Sequence, residues 1–190
     1  IKGRIGAGDV KITDLTCKDV DLNLESGNIS FDNSNISGKI NNNSGTITMK
    51  KSQIKNSKLT TKVGDIVLED SKLSQDENLE TENGDINIKT KDPIDSFNIN
   101  AKLNVGNFVL GNVSYRNIID GYSIDNNKKK TVTLSTKVGD ILFNQGEGAV
   151  MEKKEYITSP DKEGDDEDFT TPVDKSELDS PNENNEEENN

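Results

Sequence analysis

The stretch Thr61-Lys62-Val63-Gly64-Asp65-Ile66-Val67-Leu68 returns near the end of the chain as Thr136-Lys137-Val138-Gly139-Asp140-Ile141-Leu142-Phe143. Looser copies begin at Gly8-Asp9-Val10, Gly27-Asn28-Ile29, Gly45-Thr46-Ile47, Gly84-Asp85-Ile86 and Gly106-Asn107-Phe108. Successive glycines lie 19, 18, 19, 20, 22 and 33 residues apart, a period near 19 that is broken once. Such a period marks a repeat architecture, in which a unit buries its apolar face only against its neighbours. In all seven copies the second and fourth residues after the glycine are apolar. That is the alternation of a strand with one buried face.

Weaker apolar positions recur in the same frame. Ile36, Ile54 and Leu73 lie nine residues after their glycines, and Leu22, Leu59 and Leu79 lie fourteen or fifteen after theirs. Each repeat therefore holds one firm strand and two further short inward-facing segments. Asp32-Asn33-Ser34-Asn35, Asn41-Asn42-Asn43-Ser44 and Asp70-Ser71 separate them, and Asn and Asp tolerate left-handed backbone and bond their own main chain. No helical period is visible. The reading is an all-β fold over residues 1–150, a parallel β-helix or β-solenoid with coils of about 19 residues.

Composition supports a thin aliphatic core. The chain is 29% hydrophobic and only 4% aromatic, with no tryptophan and no histidine, too little for a thick sandwich or a large α/β core. Charge is unevenly placed. From Glu152 to Asn190 there are 15 acidic and 4 basic residues, net -11, which leaves the body nearly neutral. That segment also carries Pro160, Pro172, Pro181 and the run Asp165-Asp166-Glu167-Asp168. It cannot bury enough apolar surface to offset its ordering entropy, so residues 151–190 read as a disordered acidic tail, a spacer or an arm for cationic peptides or metal ions. The chain starts at Ile1 and not at methionine, which reads as part of something longer. No run is long and apolar enough to span a membrane.

The recurrent glycine suits a corner that needs positive φ or a close backbone approach. The residue after it is Asp9, Asn28, Thr46, Asp65, Asp85, Asn107 and Asp140 in chain order, so a polar ladder is expected along one edge. Stacked carboxylates at Asp65 and Asp85 repel by roughly 1 kcal/mol in water. Lys62 and Lys137 are placed to offset this, and a calcium ion is the other means. The glycine-rich nonapeptides of calcium-binding β-rolls are missing, so no metal or other cofactor is expected.

With these residues in view, the recurring Gly-Asp-Ile/Val-x-Leu/Ile starts, and above all the Thr-Lys-Val-Gly-Asp-Ile pair at 61–66 and 136–141, resemble the adhesin-like bacterial domains of the toast-rack type. The resemblance covers roughly residues 1–145. It implies a right-handed parallel β-helix, a bacterial source, a place at the cell envelope or surface, and, for some similar proteins, a part in responses to envelope stress and antimicrobial peptides. It brings no catalytic motif, and the acidic tail departs from it.

Parallel β-helices also carry polysaccharide-acting enzymes, an alternative that chemistry can weigh. Glycoside hydrolysis needs two carboxyls facing across a cleft, whereas these carboxylates are scattered through turns and ladder positions, and the body's arginines are Arg4 and Arg116 alone. Without histidine there is no Ser/His/Asp triad, and the lone Cys17 can form no intramolecular disulfide or thiolate metal cluster. Gly6-Ala7-Gly8 lacks the helix and third glycine of a dinucleotide site. A neutral body with an acidic tail does not suit nucleic acid. The irregular interval between Gly106 and Gly139 gathers Tyr115, Arg116, Tyr122, Lys128, Lys129 and Lys130. It reads either as an interaction loop carried on a stiff scaffold or as a cap over the last coil's open edge. The expectation is a non-enzymatic scaffold or interaction module, with envelope polymers, cationic peptides or another protein as partners.

Overall fold

The structure is a computed structural model that describes residues 1–116, 118, 120–144 and, by backbone alone, 152–155. The disorder expected of the tail falls, for residue 151 and residues 156–190, outside the described residues. Two units divide the chain, Ile1–Thr158 and Ser159–Asn190, and the rungs, ladders and core all belong to the first.

Each coil is a rung with a long strand, a glycine corner, a short strand and a second corner. The first rungs are β1 (Lys2–Ala7) with β2 (Val10–Thr13), β3 (Thr16–Ser26) with β4 (Ile29–Asp32), and β5 (Asn35–Ser44) with β6 (Ile47–Lys50). Next come β7 (Gln53–Val63) with β8 (Ile66–Glu69), then β9 (Lys72–Leu73), β10 (Glu77–Asn83) and β11 (Ile86–Lys89). After a 3₁₀ turn at Ile94–Ser96 come β12 (Asn98–Val105), β13 (Asn107–Leu110), β14 (Val113–Arg116) and β15 (Tyr122–Ile124). The chain then forms β16 (Thr131–Val138), β17 (Ile141–Phe143) and β18 (Glu152–Glu155).

The rungs stack into two sheets, ordered β1-β3-β5-β7-β10-β16-β12-β15 and β18-β14-β13-β17-β11-β8-β6-β4-β2, with β9 beside β7. Pairing is parallel throughout the repeats. Among the described residues only β14 on β13 and β15 on β12 are antiparallel. The last strand, β18, pairs with β14, so the second sheet takes in four residues of the segment that composition assigns to the tail.

The core lies between the sheets in columns. Ile29, Ile47, Ile66, Ile86, Ile141 and Phe108 succeed one another in register, and all are essentially inaccessible to water. Leu22, Ile40, Leu59, Leu79 and Leu134 form the facing column. Each fully buried aliphatic is worth about 1.5–3 kcal/mol, but only when rungs above and below cover it.

Two features differ from the sequence reading. The two short segments expected in each repeat fuse into one long strand in β3, β5 and β7, bent where the register slips between Cys17/Val20 and Ile36/Gly38, whereas after Gly64 they stay apart as β9 and β10. β3 and β7 each carry one more residue there than β5, which is why one glycine spacing is 18 and its neighbours 19. At this bulge Gly38 has φ 134, and a Cβ would lie 2.1 Å from the Val20 carbonyl oxygen, so no other residue fits. The second difference is the order of the last two rungs. The rung led by Gly139 lies directly on that led by Gly84, and the Gly106 rung, earlier in the chain, lies beyond it.

Candidate functional site

The glycine corners form a continuous edge. Gly84 and Gly139 have φ 153 and 145, and a Cβ on either would fall about 2 Å from the carbonyl oxygen of the glycine one rung away. Positive φ and close approach therefore act together. The polar residue after each glycine reaches along the stack: Asp9 Oδ1 accepts the Asn28 amide at 2.7 Å, and Asn28 Oδ1 that of Thr46 at 3.0 Å. Asp65 Oδ1 accepts from Asp85 N at 2.8 Å, Asp85 Oδ1 from Asp140 N at 2.7 Å, and Asp140 Oδ1 from Asn107 N at 2.8 Å. Asp and Asn recur because a short acceptor is needed to satisfy the next rung's amide, which has no strand partner at a corner.

This places Asp65 and Asp85 on successive rungs, each with one oxygen engaged by a backbone N–H, which offsets their mutual repulsion without a cation. Lys137 turns instead to Glu82 at 3.1 Å, and Lys58 to Glu80 at 3.2 Å. Among the described residues no three acidic, cysteine or histidine side chains converge on a point where a metal ion could sit.

Further ladders explain the repeated motif. Thr61, Thr81 and Thr136, three residues before their glycines, donate to the carbonyls of Gly45, Gly64 and Gly84 at 3.2, 3.0 and 3.0 Å. Asn42 takes that place one rung earlier and donates to Gly27 at 2.9 Å, but its Oδ1 is buried and without a partner. At the opposite corner, Ser34, Ser52 and Ser71 are buried. Their hydroxyls accept the amides of Leu15, Ser34 and Ser52 at 3.1, 3.0 and 3.2 Å. Each serine lies seven residues after a glycine, so a signal is present in the sequence, but serine is too common in turns for it to stand out.

Sequence alone also does not single out Glu77, a carboxyl buried on the core side of β10. Its Oε2 accepts the Ser57 amide at 2.8 Å and its Oε1 that of Gln75 at 3.4 Å. Burial pushes the carboxyl up to about 7, against the opposing pull of the amides of Ser57, Gln75, Ser74 and Asn56. It borders an open depression lined also by Lys39, Lys58, Asp76 and Thr133.

The residues gathered between Gly106 and Gly139 part company. Tyr115 and Tyr122 meet at 4.6 Å between ring centroids and pack on Phe108, at 5.7 and 5.9 Å, laying an aromatic plate over the end of the core. Arg116, on β14, is exposed and pairs across the ladder with Asn107. Lys128 and Lys129 are exposed on the connection that returns to the Gly84 rung. Lys130 lies 4.6 Å over the Phe97 ring and reaches the Leu73 carbonyl at 3.4 Å. The tyrosines thus pack on the end of the core, whereas of the lysine run Lys130 packs on Phe97 and Lys128 and Lys129 face solvent.

Among the described residues no helix is long and apolar enough to cross a membrane. No curated protein and no solved structure matches this chain. The profile of a domain family of unknown function, Toastrack DUF4097, matches residues 2–144, which is the whole stack of rungs. The chain belongs to the Toastrack DUF4097 family.

Proposed function

We propose that this chain is a non-enzymatic scaffold or interaction module of the bacterial cell envelope, adhesin-like in that a stiff solenoid presents a recognition ridge. One observation carries the reading. Among the described residues the large apolar side chains left exposed, apart from Ile1, are Val63, Val105 and Val138. Register aligns them on the glycine edge in the order Val63, Asn83, Val138, Val105. Isolated surface valines carry no message, but a file of them beside the Asp65, Asp85 and Asp140 carboxylates makes an amphipathic strip that a polymer or protein can lie along. Each of these carboxylates gives its Oδ1 to an amide of the next rung, which holds the strip in place.

The envelope placement, with service in stress responses as its finer form, rests on the family resemblance. It is tested in intact bacterial cells by protease accessibility of the acidic tail, with a cytoplasmic protein as control. Cleavage without lysis supports an exposed module, and protection until lysis removes the envelope reading. A second reading is capture of cationic peptides by the tail, favoured by its net charge of -11 over residues 152–190. Removing residues 156–190 then abolishes peptide binding, whereas binding that persists assigns it to the ridge.

A further inference from the structure

The chain makes β12 and β13 before β16 and β17, yet β16 and β17 occupy the layer between them and β10 and β11. On a chain made from its N-terminus, β12 and β13 are therefore present before the layer on which they finally rest. The surfaces on either side of it are near copies: Asp85 Oδ1 receives the Asp140 amide at 2.7 Å, and Asp140 Oδ1 receives the Asn107 amide at 2.8 Å. Gly84 N donates to the Val138 carbonyl and Gly139 N to that of Val105, both at 2.9 Å. The corner bonds that the Gly84 rung makes with β16 and β17 are thus of a kind that β12 and β13 can also make.

We propose that β12 and β13 first stack directly on β10 and β11, and that β16 and β17 then intercalate, so that this end of the solenoid is a strand-insertion device with two closed arrangements. The final order is selected by contacts that only the inserted rung makes. Thr136 donates to the Gly84 carbonyl at 3.0 Å. In β12 the equivalent residue, paired with Thr136, is Leu103, which has no hydroxyl. Asn144 donates its amide to the Ile88 carbonyl at 2.7 Å, accepts the Thr90 amide at 2.7 Å, and reaches the Asp92 carbonyl at 3.3 Å. Chain-order stacking loses all of these, and it leaves the Asp140 carboxylate at the open end while Phe108 is buried in mid-stack.

Two cysteine pairs in the full chain, with Cys17→Ser, separate the arrangements. Glu80 pairs with Ser135, and Ser135 with Lys102. Glu80 and Lys102 are thus two strand spacings apart, about 10 Å, too far for a disulfide in the final stack. Oxidant pulses at increasing delays after dilution from urea should trap a Glu80→Cys/Lys102→Cys disulfide early, at a yield several-fold above that in urea. It should disappear as the Glu80→Cys/Ser135→Cys pair becomes able to form. Adding Thr136→Val should prolong the early species several-fold. A Glu80→Cys/Lys102→Cys yield that never rises above the urea level at any delay overturns the proposal.

Discussion

At the level of single residues the fold is a set of bonds between one rung and the next. Asn42 is the weak member of the threonine file: it supplies the donor but leaves a buried carbonyl oxygen unsatisfied, which costs on the order of 1–3 kcal/mol. Asn42→Thr should therefore raise stability by about 1 kcal/mol in urea unfolding, and a loss of stability would refute this account of the file. Glu77 yields a pH dependence. Below its ordinary value of 4.5 the carboxyl is protonated in both states, and between 4.5 and about 7 only the unfolded chain ionises. Stability from this group is thus fully present at low pH and is lost as pH rises through about 7, by about 3 kcal/mol at most. Glu77→Gln should remove that slope, so the stability difference between variant and wild type should change between about pH 4.5 and 8; a constant difference rejects the assignment. Glu77 is not legible in the sequence, because the strand's alternation assigns it a face but says nothing of the four amides around it.

The strands and corners bear out the repeat and explain its irregularities. From Gly27 onward the corner glycines leave no room for a side chain: a Cβ at Gly139 meets the Gly84 carbonyl oxygen at 2.0 Å, whereas one at Gly6 meets nothing within 4 Å. Gly139→Ala should cost at least about 3 kcal/mol and Gly6→Ala no more than about 0.5, a contrast that paired urea titrations measure directly. Ile66 and Ile86 are fully buried in the middle of one column. Replacing either with Asp buries a charge in a core that several rungs share. Loss of amide-exchange protection should spread over the adjoining rungs, and protection lost from one rung alone would contradict the shared core. The short strands are plain in the sequence because their alternation survives in every copy. The long strands read as pairs of segments because the extra residue at the bulge reverses the alternation between Cys17 and Val20.

For the molecule as a whole, the solenoid closes itself differently at its far end than at the beginning. The aromatic plate of Phe108, Tyr115 and Tyr122 and the antiparallel strands β14 and β15 lie over the terminal rung. Cutting the chain after residue 158 should leave the urea midpoint of the solenoid unchanged, since the composition beyond it offers little apolar surface to bury; a shifted midpoint would show that the acidic segment contributes to the fold. By itself the sequence determined the parallel architecture, the glycine edge, the polar ladder and the core columns. Each of these arises from a local pattern repeated at a fixed interval, and stacking requires only that like positions meet. Tertiary structure alone decided the order of the last two rungs and the fate of the residues between them. Rungs that share one pattern are interchangeable to any local rule, and the choice falls to Thr136 and Asn144, whose partners Gly84 and Ile88 lie far back along the chain, and to Phe108, which needs the tyrosines of the cap to cover it.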